Sequence, residues 1–296
     1  MSHGHEHNHG HGGHIGTAFF LNLAFTVIEL VGGIFTNSVA IVSDAVHDFG
    51  DSLSLGLAWY FQRLSHKGST GKYTYGYKRF SLLGAIINSV VLVLGSAYIL
   101  SESIPRFFAP QETDAVGMFV LSIVGIAING VAVLRTRKAR SINERIVSLH
   151  LLEDVLGWAA VLTGSVIMHF TGLTVIDPIL SVVIACFVLF NVFKNIKQVL
   201  PILLQGTPAN VDVGHITARL NEFGQIGGIH DLHIWSLDED YNVLTVHVAL
   251  AQALSAEGLT ELKNKIRAAL KEEGIQHATI EFESPDETCA FEDCGE

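Results

Sequence analysis

Two short segments of the chain combine histidine and aspartate at a spacing of about one helical turn. The first contains His47 and Asp51, and the second contains His150 and Asp154. Residues at positions i and i+4 lie on the same face of a helix, about 6 Å apart along its axis. If the two faces meet, two imidazoles and two carboxylates converge, which is the ligand set of a closed tetrahedral zinc site.

Both segments lie within apolar stretches of the length that a membrane requires. Hydrophobic residues make up 49% of the 296 positions, charged residues only 16%, and the mean hydropathy is +0.40. A spanning helix needs about 20 apolar residues. Because ionisable groups are costly inside a bilayer, a His-x3-Asp spacing on two spans favours metal binding over simple helix packing. The six predicted spans are 15–35, 39–61, 80–101, 115–134, 146–170 and 173–193.

The predicted site has a chemistry that links metal binding to proton binding. A divalent ion neutralises two carboxylates while the imidazoles stay uncharged, so the loaded site is tolerated at low dielectric. The empty site would hold two buried anions and would therefore take up protons. Between two gates, such a site would let a proton gradient drive a metal ion across the membrane without covalent chemistry.

Basic residues indicate the orientation of the spans. The loops after the second and fourth spans carry ten Lys and Arg residues, whereas the loops on the opposite side carry Arg106 alone. The positive-inside rule places the basic loops in the cytoplasm, and an even number of spans then places both termini there. The net charge of −11 argues against a nucleic-acid partner, which would need a basic face.

The composition changes near residue 207, which predicts a second domain. The order α-β-β-α-β, over 212–223, 229–237, 242–250, 259–273 and 276–283, is typical of a ferredoxin-like α+β fold. The predicted fold is thus a six-helix polytopic membrane domain with a C-terminal cytoplasmic α+β domain. Its predicted segments are a His-rich disordered tail (1–14), a transport domain (15–206), a metal-binding and dimerisation domain (207–285) and a Cys-containing tail (286–296).

The two tails carry further metal-binding residue types. Six histidines lie within residues 1–14, where Gly-rich sequence cannot build a core; loose metal capture and a simple disordered tail are the two interpretations. Cys289 and Cys294 form a C-x4-C pair, close to the spacing of zinc ligands. Two thiolates are half of a closed site, so an unliganded pair is the alternative.

The whole chain resembles the cation diffusion facilitator family, in the zinc-transporting branch that includes the bacterial cobalt-zinc-cadmium resistance exporters. The resemblance rests on the His-rich N-terminus, the six spans, Asn37-Ser38, Asp177-Pro178 and the 230–237 segment HDLHIWSL. It implies that the two His-Asp pairs bind the transported metal. It also implies a homodimer that exchanges metal for protons by alternating access.

The resemblance implies a second metal site in the cytoplasmic domain. Its implied ligands are His230, His247 and Glu283 at the dimer interface, with His277 as a further ligand. The alternative is that these are polar surface residues at a sheet edge.

The resulting prediction is a secondary transporter, not an enzyme, in a bacterial inner membrane. Zn²⁺ is the expected substrate and also a structural or regulatory ion, and cadmium and cobalt are possible further substrates. The expected partners are a second copy of the chain, membrane lipid, divalent metal ions and protons. One alternative is a membrane-anchored zinc sensor. The other is an intramembrane metallohydrolase. Two observations argue against it: four protein ligands leave no position on the metal for water, and the sequence has no H-E-x-x-H motif to supply a base.

Other charged residues near these features have two interpretations. Asp44 lies one turn before His47 and either lines the metal route or packs, whereas Asp48 is rotated by about 100° and is predicted to pack or to face a water cavity. Lys78 either anchors the start of the third span at the interface or pairs with a carboxylate of the C-terminal domain such as Asp212.

Overall fold

The structure of the protein is a computed structural model that describes residues 11–65, 68–136, 142–238 and 240–287. Within these ranges the structure does not describe the side chains of residues 11–18, 62, 65, 135–136, 142–148 and 150. The chain divides into two compact units. Of the described residues, those before Ser65 and those in Gly84–Ile196 form the helical unit, and those in Ser65–Leu83 and after Ile196 form the C-terminal unit. Cys289 and Cys294 lie outside the described residues.

Within the described residues, six long helices occur at the six predicted apolar stretches, which confirms the helical membrane fold. These are α1 His11–Phe35, α2 Val39–Ser65, α3 Phe80–Phe108, α4 Ala115–Thr136, α5 Ile142–Thr171 and α6 Ile176–Leu203. The apolar parts of α3, α4, α5 and α6 are long enough to cross a bilayer, and α1 contributes a shorter apolar segment, Phe19–Phe35. Helix α1 begins within the segment 1–14 that was predicted as a disordered tail.

The helical unit is packed in the manner of membrane proteins. Large apolar side chains such as Phe35 and Phe108 are more than four-fifths exposed, whereas Ser103, Ser122 and Ser181 are fully buried. Small residues between helices let their backbones approach closely. The outer surface is therefore suited to lipid, and the interior holds the polar groups.

Helix α2 begins at a buried junction with α6. Ser38 Oγ accepts a hydrogen bond from the Ile41 amide at 3.2 Å, the N-cap pattern, and donates one to Asp177 of α6 at 2.5 Å. The same carboxylate accepts bonds from the Val39 and Ala40 amides at 2.9 and 3.2 Å. Asp177 lies in the first turn of its own helix and also caps the start of α2.

The described part of the C-terminal unit contains a small mixed sheet with two helices on one face. Its helices and strands are α7 Val213–Asn221, β1 Ile226–Ser236, β2 Asn242–Leu250, α8 Ala256–Glu272 and β3 Ile275–Glu283. Strand β2 pairs antiparallel with β1 and parallel with β3, and helix α8 makes the crossover between the two parallel strands. Alternate residues of the central strand, such as Leu244 and Val246, pack against Ile216 of α7 and Ile266 of α8. This arrangement confirms the predicted αββαβ order.

Lys78, just before α3, is paired within the C-terminal unit. Its Nζ lies 3.4 Å from Asp238 Oδ2 and 4.4 Å from the centre of the Tyr241 ring. Asp212, which had been considered as the partner, instead caps α7, because its Oδ1 accepts a hydrogen bond from the His215 amide at 3.1 Å. The predicted acidic partner in this unit is therefore confirmed, but it is Asp238 and not Asp212.

Candidate metal centres

The first candidate centre is a group of three side chains on α2. Ligand atoms of His47, Asp48 and Asp51 all lie within 4.8 Å of one another. His47 Nε2 is 3.8 Å from Asp51 Oδ2, the contact that one helical turn permits. Asp48 is 5% exposed. Its carboxylate reaches the group although its Cα is rotated by about 100° around the helix from that of His47. The sequence instead predicted that Asp48 packs or faces a water cavity.

Helix α5 meets α2 beside this group. A Cβ atom built on Gly157 would lie 3.8 Å from Asp44 Oδ1, so the two helices are in near contact there. Asp154, three residues before Gly157, is half-buried. His150 also belongs to α5, but its side chain lies outside the described part of the structure.

The two helices run in opposite directions. Ser38 contacts Asp177 and Ser43 contacts Ser181, at sequence separations of 139 and 138 residues. Because this separation is nearly constant along the contact, α2 and α6 run parallel. Helices α5 and α6 are joined by the short 172–175 turn and therefore form an antiparallel hairpin. Helix α5 is consequently antiparallel to α2.

The second candidate centre lies on the sheet face of the C-terminal unit that is not covered by helices. His230, His247 and Glu283 place ligand atoms within 4.8 Å of one another. His230 and His247 are directly opposite on β1 and β2. Glu283 Oε1 lies 3.2 Å from His230 Nε2 and 2.8 Å from His247 Nδ1. Glu283 is 5% exposed, so the three groups form a half-buried cluster of typical zinc-ligand types.

Asp231 and Glu281 surround this cluster and were not among the predicted ligands. The β1–β2 register shifts between His230 and His233, and Asp231 within this bulge has a φ of 48°. The bulge redirects the side chain, so that Asp231 Oδ2 lies 3.5 Å from His247 Nε2. Glu281 Oε2 lies 3.6 Å from the same nitrogen. Strand alternation alone gives no signal for Asp231, because a bulge interrupts it.

His277 is on the same sheet face but is separated from the cluster. It pairs with Val243, whereas Glu281 pairs with His247, four residues further along both strands. At about 3.3 Å per residue this separation is about 13 Å. The His277 ring instead contacts Tyr75, with ring centres 5.8 Å apart. Within one chain, the structure therefore does not bring His277 to the other three residues.

Two protein families match consecutive parts of the chain. Residues 16–204 match the family described as the cation efflux transmembrane domain, and residues 208–285 match the cation efflux protein cytoplasmic domain.

Similar proteins cover nearly the whole chain. A Bacillus velezensis protein named as a cadmium, cobalt and zinc/H(+)-K(+) antiporter is 36% identical over 95% of this chain and 92% of its own length. The metal cation efflux system protein CzcD of Cupriavidus metallidurans is 33% identical, covering 96% and 90%. The zinc transporter ZitB of Pectobacterium atrosepticum is 32% identical, covering 98% and 92%.

Proposed function

Because the chain belongs to the cation efflux family, we propose that it exports zinc from the cytoplasm in exchange for protons. The names of its relatives support zinc as the substrate and cadmium and cobalt as further substrates. The family consists of transporters and not of enzymes, so the hydrolase alternative is set aside. The protein works as a homodimer in a bacterial inner membrane with both termini in the cytoplasm.

The transported ion is bound by His47, Asp51, His150 and Asp154. The observation that carries this assignment is the approach of Gly157 to Asp44 on antiparallel helices. His47 lies three residues after Asp44 on α2, and Asp154 lies three residues before Gly157 on α5. Because the helices are antiparallel, both steps lead in the same direction in space. Each residue rises 1.5 Å, so both groups are displaced by about 4.5 Å and stay level.

The same register extends to the second pair. Four residues beyond His47 is Asp51, and four residues before Asp154 is His150, again a matched displacement of about 6 Å. Each His on one helix is thereby level with an Asp on the other. Two carboxylates and two imidazoles from facing helices supply a tetrahedral zinc ligand set of zero net charge when loaded.

Exchange follows from the charge of the site. Zinc and protons bind the same carboxylate oxygens, so they compete for the site. Zinc binding displaces these protons and proton binding displaces zinc. Alternating access to the two sides of the membrane then couples zinc export to proton entry.

Proteoliposomes with an enclosed zinc dye test this proposal. The wild-type protein should give zinc uptake that depends on a pH gradient, and Asp154→Asn should abolish it because one ligand and its charge are lost. Glu153→Gln is the matched control, since its side chain is the exposed neighbour on the same helix, and it should retain the flux. Absence of pH-driven flux in the wild type, or wild-type flux in Asp154→Asn, would refute the proposal.

The cluster of His230, His247 and Glu283 binds a second zinc ion that is not transported. Its support is the convergence of two imidazoles and a buried carboxylate. His247→Ala should lower the zinc content of the intact protein by one ion per protomer and leave a measurable flux, whereas His277→Ala should change neither. A protein that binds zinc here but carries none would favour the sensor alternative. Residues 1–14, Cys289 and Cys294 are proposed as accessory metal-binding tails that transport does not require.

A further inference from the structure

A basic cavity that the transport proposal does not use lies within the C-terminal unit. It has a volume of about 390 Å³, which is in the range of small-ligand sites. Its walls come from the 72–80 segment, from the end of β1 and from the residues after α6. All of these segments belong to one compact unit.

The charge of the cavity is positive. Its lining includes the basic residues Lys72, Lys78 and Arg79, and none of the described residues that line it is acidic. Lys78 is partly neutralised by Asp238 at 3.4 Å, whereas Lys72 is exposed. The Nε–H group of Arg79 is buried and has no hydrogen-bond partner among the described residues. Lys72 and the guanidinium of Arg79 therefore give the cavity two further positive charges, which suits an anion.

The cavity also has neutral donors and apolar walls. The Gln205 side chain lines it although this residue has a φ of 59°, a conformation that favours glycine. The amide of Gln205 and the hydroxyl of Thr74 add uncharged hydrogen-bond donors. Phe80 and Trp235 contribute apolar surface beside the charged groups. A ligand with a phosphate group attached to an apolar body matches this combination better than a free ion does.

The cavity adjoins one end of each of two apolar helices. Helix α3 begins at Phe80, a lining residue, and α6 ends at Leu203, two residues before Gln205. Both helices have the length and apolar composition of membrane spans. Basic pockets at such positions bind the headgroups of anionic lipids.

We propose that this cavity binds the phosphate group of an anionic phospholipid from the surrounding bilayer. Arg79 and Lys72 hold the phosphate oxygens, Gln205 donates to the headgroup, and the apolar wall accommodates the start of the acyl chains. Inorganic phosphate carries the same charged group as the lipid, so the experiment compares binding of the lipid with binding of the free ion.

Native mass spectrometry of the full-length protein in detergent measures this binding. Dioleoyl phosphatidylglycerol should bind more tightly than dioleoyl phosphatidylcholine, and excess inorganic phosphate should not displace it. Arg79→Gln should weaken phosphatidylglycerol binding about tenfold, the effect of losing one charge-assisted hydrogen bond. Lys72→Gln should weaken it in the same direction, and because Lys72 is exposed, this variant keeps the fold even if the first does not.

Lys197→Gln is the matched control. Lys197 is an exposed basic residue on the last part of α6 and does not line the cavity, so its loss should leave phosphatidylglycerol binding unchanged. Equal binding of the two lipids by the wild type would overturn the proposal, as would an equal loss in the Lys197 variant. Displacement of the lipid by inorganic phosphate would assign the cavity to the free ion instead.

Discussion

The buried junction between Asp177 and the start of α2 gives a sharp prediction about stability. Asp177 is fully buried and accepts three hydrogen bonds, two of them from the α2 backbone amides of Val39 and Ala40. Asp177→Asn preserves the size of the side chain. The asparagine has one oxygen instead of two, so in either orientation its NH2 group faces at least one other donor.

The magnitude follows from these contacts. A buried N–H group left without an acceptor costs about 1–3 kcal/mol. Loss of a negative charge from a partly buried helix N-terminus adds up to about 2 kcal/mol. Since Val39 and Ala40 are 3% and 0% exposed, water cannot replace the lost acceptor. We expect Asp177→Asn to lower the free energy of unfolding by about 2–4 kcal/mol.

Asp114→Asn provides the matched control. Asp114 caps α4, where a single oxygen, Oδ1, accepts bonds from the Val116 and Gly117 amides at 3.1 and 3.0 Å. Asp114 is exposed, and asparagine caps helices about as well as aspartate, so we expect a loss of at most about 1 kcal/mol. Unfolding in mixed micelles by increasing SDS, followed by circular dichroism, measures both. Equal losses in the two variants would refute the reasoning from burial.

Three further predictions concern the C-terminal unit. Gln205→Gly should raise the free energy of unfolding by about 1 kcal/mol in the same SDS titration, because glycine adopts a positive φ without strain; a loss of stability would contradict this. Asp231→Ala should weaken zinc binding to the cytoplasmic cluster in calorimetry of the intact protein, because its carboxylate lies 3.5 Å from His247; unchanged affinity would show that it is not part of the site. A double-mutant cycle on Lys78 and Asp238 should give a coupling of about 0.2–1 kcal/mol, as for a partly exposed ion pair, and a larger value would indicate that the pair is more strongly shielded than its exposure implies.

Hydropathy predicted the helical elements because a bilayer imposes the length and composition of whatever crosses it. Strand alternation likewise predicted the three strands, since one face of the sheet is buried under α7 and α8. These are properties of local sequence, which explains why they could be derived without a structure.

The remaining differences arise where a position depends on distant parts of the chain. The distance between His277 and His247 depends on the register of β2 and β3, which the α8 crossover sets. Asp231 reaches His247 because of a bulge that has no composition signal. The partner of Lys78 could not be identified because several carboxylates were available; Asp212 is already used as a helix cap.

The enclosure of α2 explains how so polar a helix can lie within a membrane protein. Asn22 of α1 donates a hydrogen bond to Ser52 at 3.0 Å, Val46 packs against Gly95 of α3, and Asp44 faces Gly157 of α5. Together with the α6 contact at its start, these neighbours cover the acidic side of the helix, so that Asp44 and Asp48 are only 6% and 5% exposed. Carboxylates are tolerated at such depth when they face the bundle interior and not lipid. The helices that shield α2 therefore make its carboxylates compatible with the bilayer, and a change that opens this packing should impair the proposed transport site without touching a ligand.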